Sequence, residues 1–267
     1  MMKNQILSSL SAECPWRDTL HWFDTIDSTN NQAKKLAATG APHGTVLIAG
    51  AQSAGRGRMG RSFSSPAGMG VYMSVILRPD CAAGELMHLT CAAAVAMCDA
   101  VEKASGLRPG IKWINDLVVG KKKLGGILTE LSLTPGTGRV AYAIIGIGIN
   151  CLQNATDFPP ELQEIAVSLS DATGKIISPA ALAAAMVRSL WEMDKQLLTG
   201  RDAMMARYRH ECITLGQDIL VVRGDIPRHG IALSLTDDGG LLVRFEDSTT
   251  EVVQSGDVRI RGMYGYA

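Results

Sequence analysis

Arginines at 56, 58 and 61 alternate with glycines at 55, 57 and 60, so seven consecutive positions carry three planar cations and three residues without a side chain. That combination suits the capture of a phosphate or carboxylate, because a guanidinium fork grips such a group in two places and glycine lets backbone N–H groups come close to it. No acidic residue lies between 52 and 66 to neutralise the arginines locally. A solvated turn is the bland alternative. A loop that closes over a phosphorylated ligand accounts better for both residue types together.

A second cluster runs I-K-W-I-N-D-L-V-V-G-K-K-K-L-G-G-I-L-T-E over 111–130. Lys123 opens an apolar strand beside Gly125 and Gly126, where a side chain can turn inward and a backbone can be approached closely; an inward lysine needs an anion. Lys121 and Lys122 read as exposed turn residues. Asp116, next to Lys112 and Asn115, offers a carboxylate for a Mg²⁺ ion or for a network with a lysine, and a plain turn role fits its spacing equally well. In I-I-G-I-G-I-N (144–150), Gly146 and Gly148 share one face of a strand and make a flat wall against which a ring can lie. Asn150 closes that strand with an amide able to read an adenine edge.

Three better-known motifs are excluded by context. Gly55, Gly57 and Gly60 spell G-x-G-x-x-G, with Asp80 further on, but Pro66 and two glycines in 61–70 forbid the helix that must follow to hold a pyrophosphate. No G-x-x-x-x-G-K-[ST] occurs, and H-E-C-I-T at 210–214 lacks the second histidine of a zinc protease.

The elements that position these residues alternate between strands and helices. Residues 19–26 read as a strand feeding a helix over 30–38, with Ser28 and Thr29 as N-cap candidates and Gly40 as the stop. Strands at 44–51 and 70–77 flank the arginine loop, whose Ser, Gly and Pro content predicts no regular structure. An Ala-rich segment, 84–104, reads as a helix too apolar to lie on a surface. Short strands follow at 111–113 and 117–119, then longer ones at 124–133 and 139–150, and further helices are expected at 161–171 and 179–198. After residue 215 the texture changes to short β runs separated by G-D, D-D-G-G and D-S turns, the spacing of a small five-stranded barrel. The expected organisation is an α/β (α+β) domain over 1–214 and an all-β domain over 215–267.

Composition narrows the function classes. The 26 basic and 26 acidic residues cancel, so no general field draws the molecule to nucleic acid or to an anionic membrane. Six cysteines without a C-x-x-C pair in 267 residues read as free thiols of a cytoplasmic protein. The N-terminal stretch does not read as a signal peptide, and no apolar run is expected to reach the roughly 20 residues of a membrane span.

Taken in order, D-S-T-N (27–30), Q-S-A-G-R-G-R-M-G-R (52–61), K-W-I-N-D (112–116), K-L-G-G-I-L (123–128) and I-G-I-G-I-N (145–150) resemble the biotin protein ligases, over about residues 20–262. The resemblance implies a mixed-sheet catalytic domain followed by an SH3-like barrel. It implies that biotin and ATP, with Mg²⁺, give biotinyl-5′-AMP and pyrophosphate. The biotinyl group then passes to a lysine of the carrier protein or domain of a carboxylase such as acetyl-CoA carboxylase. Carried over by position, Ser28, Thr29, Asn30, Gln52, Arg56, Gly57, Arg58, Lys123, Gly126 and Gly148 are expected at the biotin. Arg58, Arg61, Lys123 and Asn150 are expected at the nucleotide, Lys123, Arg58 and Asp116 in catalysis, and Asp116 at the metal. Ile114 and Phe63 stand where the family usually has Pro and Trp, and 166–170 holds no aromatic residue to stack on an adenine. The related lipoate ligases are the nearest alternative. Only 26 residues precede Asp27, too few for the helix-turn-helix of the ligases that double as repressors, so no DNA partner is expected. A non-catalytic RNA-binding module fits the neutral charge poorly. Monomer and homodimer are both compatible with the sequence.

Overall fold

The computed structural model describes residues 2–223, 226–254 and 258–262. In chain order its first part comprises α1 (Met2–Ser9), β1 (Leu20–Phe23), α2 (Thr29–Ala38), β2 (Thr45–Ala49), β3 (Gly70–Leu77), α3 (Leu89–Ser105) and β4 (Gly110–Lys112). There follow β5 (Asp116–Val119), β6 (Lys122–Leu133), β7 (Val140–Asn150), α4 (Leu169–Thr173), α5 (Pro179–Asp194) and α6 (Arg201–Glu211). The seven strands form one sheet in the order β1-β2-β3-β7-β6-β5-β4, parallel at β1/β2 and antiparallel at every other pair.

Alternation along the strands divides the apolar residues between two faces. Val46, Ile48, Val75, Leu77, Ile145, Ile147 and Ile149 belong to the large core shared with α3 and α5, whereas Leu47, Ile76 and Ile144 meet Ala33 and Ala37 of α2 in a smaller cluster. Each such fully buried aliphatic side chain contributes about 1.5–3 kcal/mol. Two long helices cover the first face. Among the described residues the second is covered by α2, which packs on β2, β3 and β7, so the part of that face formed by β6 and β5 is left for something other than a helix.

Four helices depart from expectation, the first being α1, which no sequence pattern led us to expect. The apolar helix begins with a separate 3₁₀ turn, Ala83–Leu86, and ends at Gly106 with φ +76°, as a left-handed C-terminal stop requires. No helix spans 161–171. That segment forms only a 3₁₀ turn at Pro160–Leu162, because its backbone then pairs with β6: Lys123 N donates to Ile165 O at 2.7 Å and Val167 N to Lys123 O at 2.9 Å. α6 was not expected at all, because R-D-A-M-M-A-R-Y-R-H-E is mostly polar; Met204, Met205 and Tyr208 anchor it by burial. The stretch Ala83–Ser105 does reach the length and apolarity of a membrane crossing, contrary to the sequence expectation, but 72% of its apolar window is buried inside the molecule. All six cysteines are buried free thiols.

The remaining strands, β8 (Asp218–Arg223), β9 (Ile226–Leu235), β10 (Leu241–Phe245), β11 (Thr250–Val253) and β12 (Val258–Gly262), form a second, antiparallel sheet ordered β11-β10-β9-β8-β12. The fold class is the expected one. The G-D turn at 224–225 and residues 255–257 of the expected final β run lie outside the described residues. Ile213 N still bonds to Ile111 O of the first sheet at 2.9 Å, while Gly216 N bonds to Ala232 O of the second at 2.8 Å.

Candidate active site

The helix-free part of the α2 face holds a pocket of about 850 Å³. The arginine loop covers it, and does so with more structure than its composition predicts. Arg56 bridges to Ser62, Gly57 N donates to Arg61 O at 2.7 Å, Phe63 N donates to Gly55 O at 2.9 Å, and Arg58–Gly60 form a tight turn in which Met59 has a left-handed φ of +55°. Gly60 there has φ +73°, a conformation that glycine adopts at no steric cost.

The start of α2 forms one wall. Ser28, Thr29 and Asn30 are buried there and line the pocket. Ser28 occupies the N-cap position without capping through its side chain. Gln52 does that work from outside the helix: its Oε1 accepts from Thr29 N at 2.8 Å and from Thr29 Oγ1 at 3.2 Å, and its Nε2 donates to Ser65 Oγ at 2.9 Å. The Ser74 hydroxyl donates to Asn30 Oδ1 at 2.6 Å. A Cβ at Gly146 would collide with the Asn30 carboxamide, and one at Gly148 would meet the Phe63 ring at 2.5 Å. The expected flat wall exists, and the ring lying against Gly148 is the protein's own Phe63.

Cations gather at the other end. Lys123 Nζ lies 2.7 Å from Asp116 Oδ1, and a Cβ at Gly126 would stand 3.3 Å from both atoms, so the absent side chain leaves room for the pair. Arg58 NH1 donates to Asn115 Oδ1 at 2.9 Å, and Asn115 Nδ2 to Ile127 O at 2.9 Å. Burial lowers the pKa of the Arg58 guanidinium, with Asp116 acting in the opposite sense. Lys112 is buried in the same lining. Altogether the lining includes seven basic residues, Arg56, Arg58, Arg61, Lys112, Lys121, Lys122 and Lys123, against two acidic ones, Asp116 and Glu164. That excess of positive charge, partly desolvated, suits a polyanion.

The match to known proteins settles the lineage. Residues 22–150 match the model of the Biotin/lipoate A/B protein ligase family. The bifunctional ligase/repressor BirA of Bacillus spizizenii is 37% identical over 242 residues, covering 90% of this chain and 74% of that one. The biotin–[acetyl-CoA-carboxylase] ligase of Paracoccus denitrificans is 36% identical over 234 residues, covering 82% and 91%. The chain belongs to the biotin protein ligase family. Among solved structures, the biotin protein ligase of Aquifex aeolicus in complex with biotin and ATP superposes with a TM-score of 0.75 at 28% identity, over 91% of this chain and 98% of that one.

In this ligase the structure brings together Ser28, Thr29, Asn30, Gln52, Arg56, Gly57, Arg58, Arg61, Asp116, Lys123, Gly126 and Gly148 around one cavity. It does not bring Asn150 there. That side chain is buried away from the lining, its Nδ2 donating to Val167 O at 3.2 Å and its Oδ1 facing Gln153 Nε2 at 3.4 Å. Lys121 and Lys122, read from sequence as plain turn residues, do line the pocket, because the β5–β6 hairpin folds over its rim. Sequence reasoning also passed over Glu130. Its signal was available: Gly126, Leu128 and Glu130 share one face of β6, so a carboxylate there lies in line with the pocket floor.

Among the described residues no three His, Cys, Asp or Glu side chains converge as a metal cage. A Mg²⁺ ion is ordinarily held by one or two carboxylates together with substrate phosphates, and Asp116, beside this cluster of cations, fits that lesser requirement.

Proposed function

We propose that this ligase activates biotin with ATP and transfers it to a lysine of a biotin carboxyl carrier protein or domain, with the pocket under the arginine loop as the site of both steps. In the first step a biotin carboxylate oxygen bonds to the α-phosphorus of ATP, the bond to the β-phosphate oxygen breaks, and pyrophosphate leaves. In the second, the amine of the carrier lysine attacks the acyl carbon, AMP leaves, and the amine gives up a proton. Biotin lies along the wall of Ser28, Thr29, Asn30 and Gln52, with its carboxylate toward Lys123.

The observation that carries this reading is the placement of Lys123 and Arg58 at one end of a cavity whose other end is walled by Asn30 and Gly146. The first step brings two anions together, so it needs fixed positive charge where they meet. Lys123 and Arg58 supply it without reorganisation, a single such donor being worth about 3–4 kcal/mol in comparable sites. Arg61, Lys121 and Lys122 on the rim hold the departing phosphates. Asp116, together with the nucleotide's phosphates, would hold a Mg²⁺ ion, which would supply further charge neutralisation there. A mixed anhydride hydrolyses readily, and the loop keeps water from it until the carrier lysine arrives.

We also propose that the catalytic domain ends near residue 214. The switch of backbone bonding from Ile111 to Ala232 between residues 213 and 216 supports that boundary. The buried free cysteines are in keeping with a cytoplasmic enzyme. The test is direct: the protein with ATP and Mg²⁺ should release pyrophosphate and form an acyl-adenylate with biotin, and do neither with lipoate. Activity with lipoate alone would move the enzyme to the other branch of its family.

A further inference from the structure

Glu130 lies just outside the pocket lining, on the face of β6 that carries Gly126, and its side chain is 21% exposed. Both of its oxygens are engaged by the loop. Arg56 NH1 donates to Oε2 and NH2 to Oε1, each at 3.2 Å, in a two-pronged contact. The same carboxylate accepts from Asn30 Nδ2 at 3.0 Å and pairs with Lys34 Nζ at 2.6 Å, both from α2. Arg56 NH1 also donates to Asn31 Oδ1 at 3.2 Å. Burial raises the pKa of Glu130, but Lys34, Asn30 and Arg56 outweigh it and hold the carboxyl below its ordinary range.

We propose that Glu130 is a positioning residue that latches the arginine loop over the occupied pocket, one carboxylate joining the loop's Arg56 to the pocket wall's Asn30. The proposal rests on the reading that the pocket binds biotin. It assigns the two leading arginines to different tasks. Arg58 reaches the Lys123 end, where its partner is Asn115, and faces the phosphate. Arg56 spends its fork on Glu130 and acts on the ligand only through the loop it fastens. Asn30 is the coupling element: its Oδ1 takes the Ser74 hydroxyl and lies against Gly146 in the pocket, while its Nδ2 takes Glu130. A ligand that fixes the Asn30 amide therefore fixes the acceptor that receives the loop.

Two near-isosteric variants of the full-length protein test the latch. Glu130→Gln keeps the volume and an acceptor for Asn30 but loses the charge under Arg56. Arg56→Lys keeps the charge but loses the fork. With biotin, ATP and Mg²⁺, each should raise the fraction of biotinyl-adenylate that escapes into solution about tenfold, the order of a charge-assisted hydrogen bond. Each should also raise KM for biotin more than it lowers kcat for pyrophosphate release. The double variant should leak no more than the worse single one, since both remove the same contact. Lys34→Met removes the third partner of the same carboxylate without touching the loop, and should leak as wild type does. Wild-type escape in both Glu130→Gln and Arg56→Lys, or an equal leak in Lys34→Met, would overturn the latch. Failure of the wild type to form any biotinyl-adenylate would sink the proposed function, and the latch with it.

Discussion

Lys123 and Asp116 form an ion pair at the bottom of a cavity rich in cations, so the lysine's charge is held in place before any substrate arrives. Lys123→Ala should therefore lower biotin-dependent pyrophosphate release by roughly two orders of magnitude or more, by removal of a donor aimed at developing charge, while thermal unfolding stays cooperative. Near-normal release by the folded variant would remove Lys123 from the chemistry. Gly146→Ala should weaken biotin binding because the new methyl collides with the Asn30 amide, and calorimetric titration with biotin would show it. At this scale much of the site was legible: a lysine opening an apolar strand beside two glycines has little reason to be there except to face an anion. Asn150, expected at the adenine, lies outside the pocket lining, its amide bonding to Val167 O, 17 residues on in the chain, and facing the nearby Gln153.

The arginine loop is the element on which both steps depend. Its glycines and lack of acidic neighbours predict a disordered strip, yet it folds as a small hairpin, fastened through Arg56 to Glu130 and through Arg58 to Asn115. Those partners lie 74 and 57 residues away, so no pattern within the loop itself shows its structure. Arg58→Gly should still make adenylate but release it, and biotin should then appear on bystander lysines of an added inert protein. If released biotinyl-AMP does not rise above wild type, Arg58 is not the clamp. The missing helix at 161–171 has a similar origin, since β6 takes up the backbone of Ile165 and Val167 and a strand partner outcompetes a proline-started helix.

At the scale of the molecule, the second sheet reaches back to the active site. Trp113 Nε1 donates to Gly239 O in the β9–β10 turn at 2.8 Å, Trp113 N donates to Thr214 Oγ1 at 2.9 Å, and Tyr208 OH donates to Ile114 O at 3.1 Å. The segment carrying Lys112, Asn115 and Asp116 is thus gripped from behind by α6 and by the barrel. Trp113→Phe leaves the buried Gly239 carbonyl without that donor and should cost about 1–3 kcal/mol of stability; chemical denaturation would check it, an unchanged midpoint showing the bond to be dispensable. The change of texture near 215 was readable because turn residues at short intervals belong to small β-domains, whereas the grip itself was not, since it runs between segments about a hundred residues apart. Biotinylation of a carrier lysine through an adenylate is the reaction this fold performs. Its most direct test is to incubate the protein with a biotin carboxyl carrier domain, ATP, Mg²⁺ and biotin, then map the modified residues by mass spectrometry. Biotin is expected on one carrier lysine, requiring both ATP and biotin and not replaced by lipoate; an unmodified carrier, or a carrier bearing lipoate instead, would overturn that assignment.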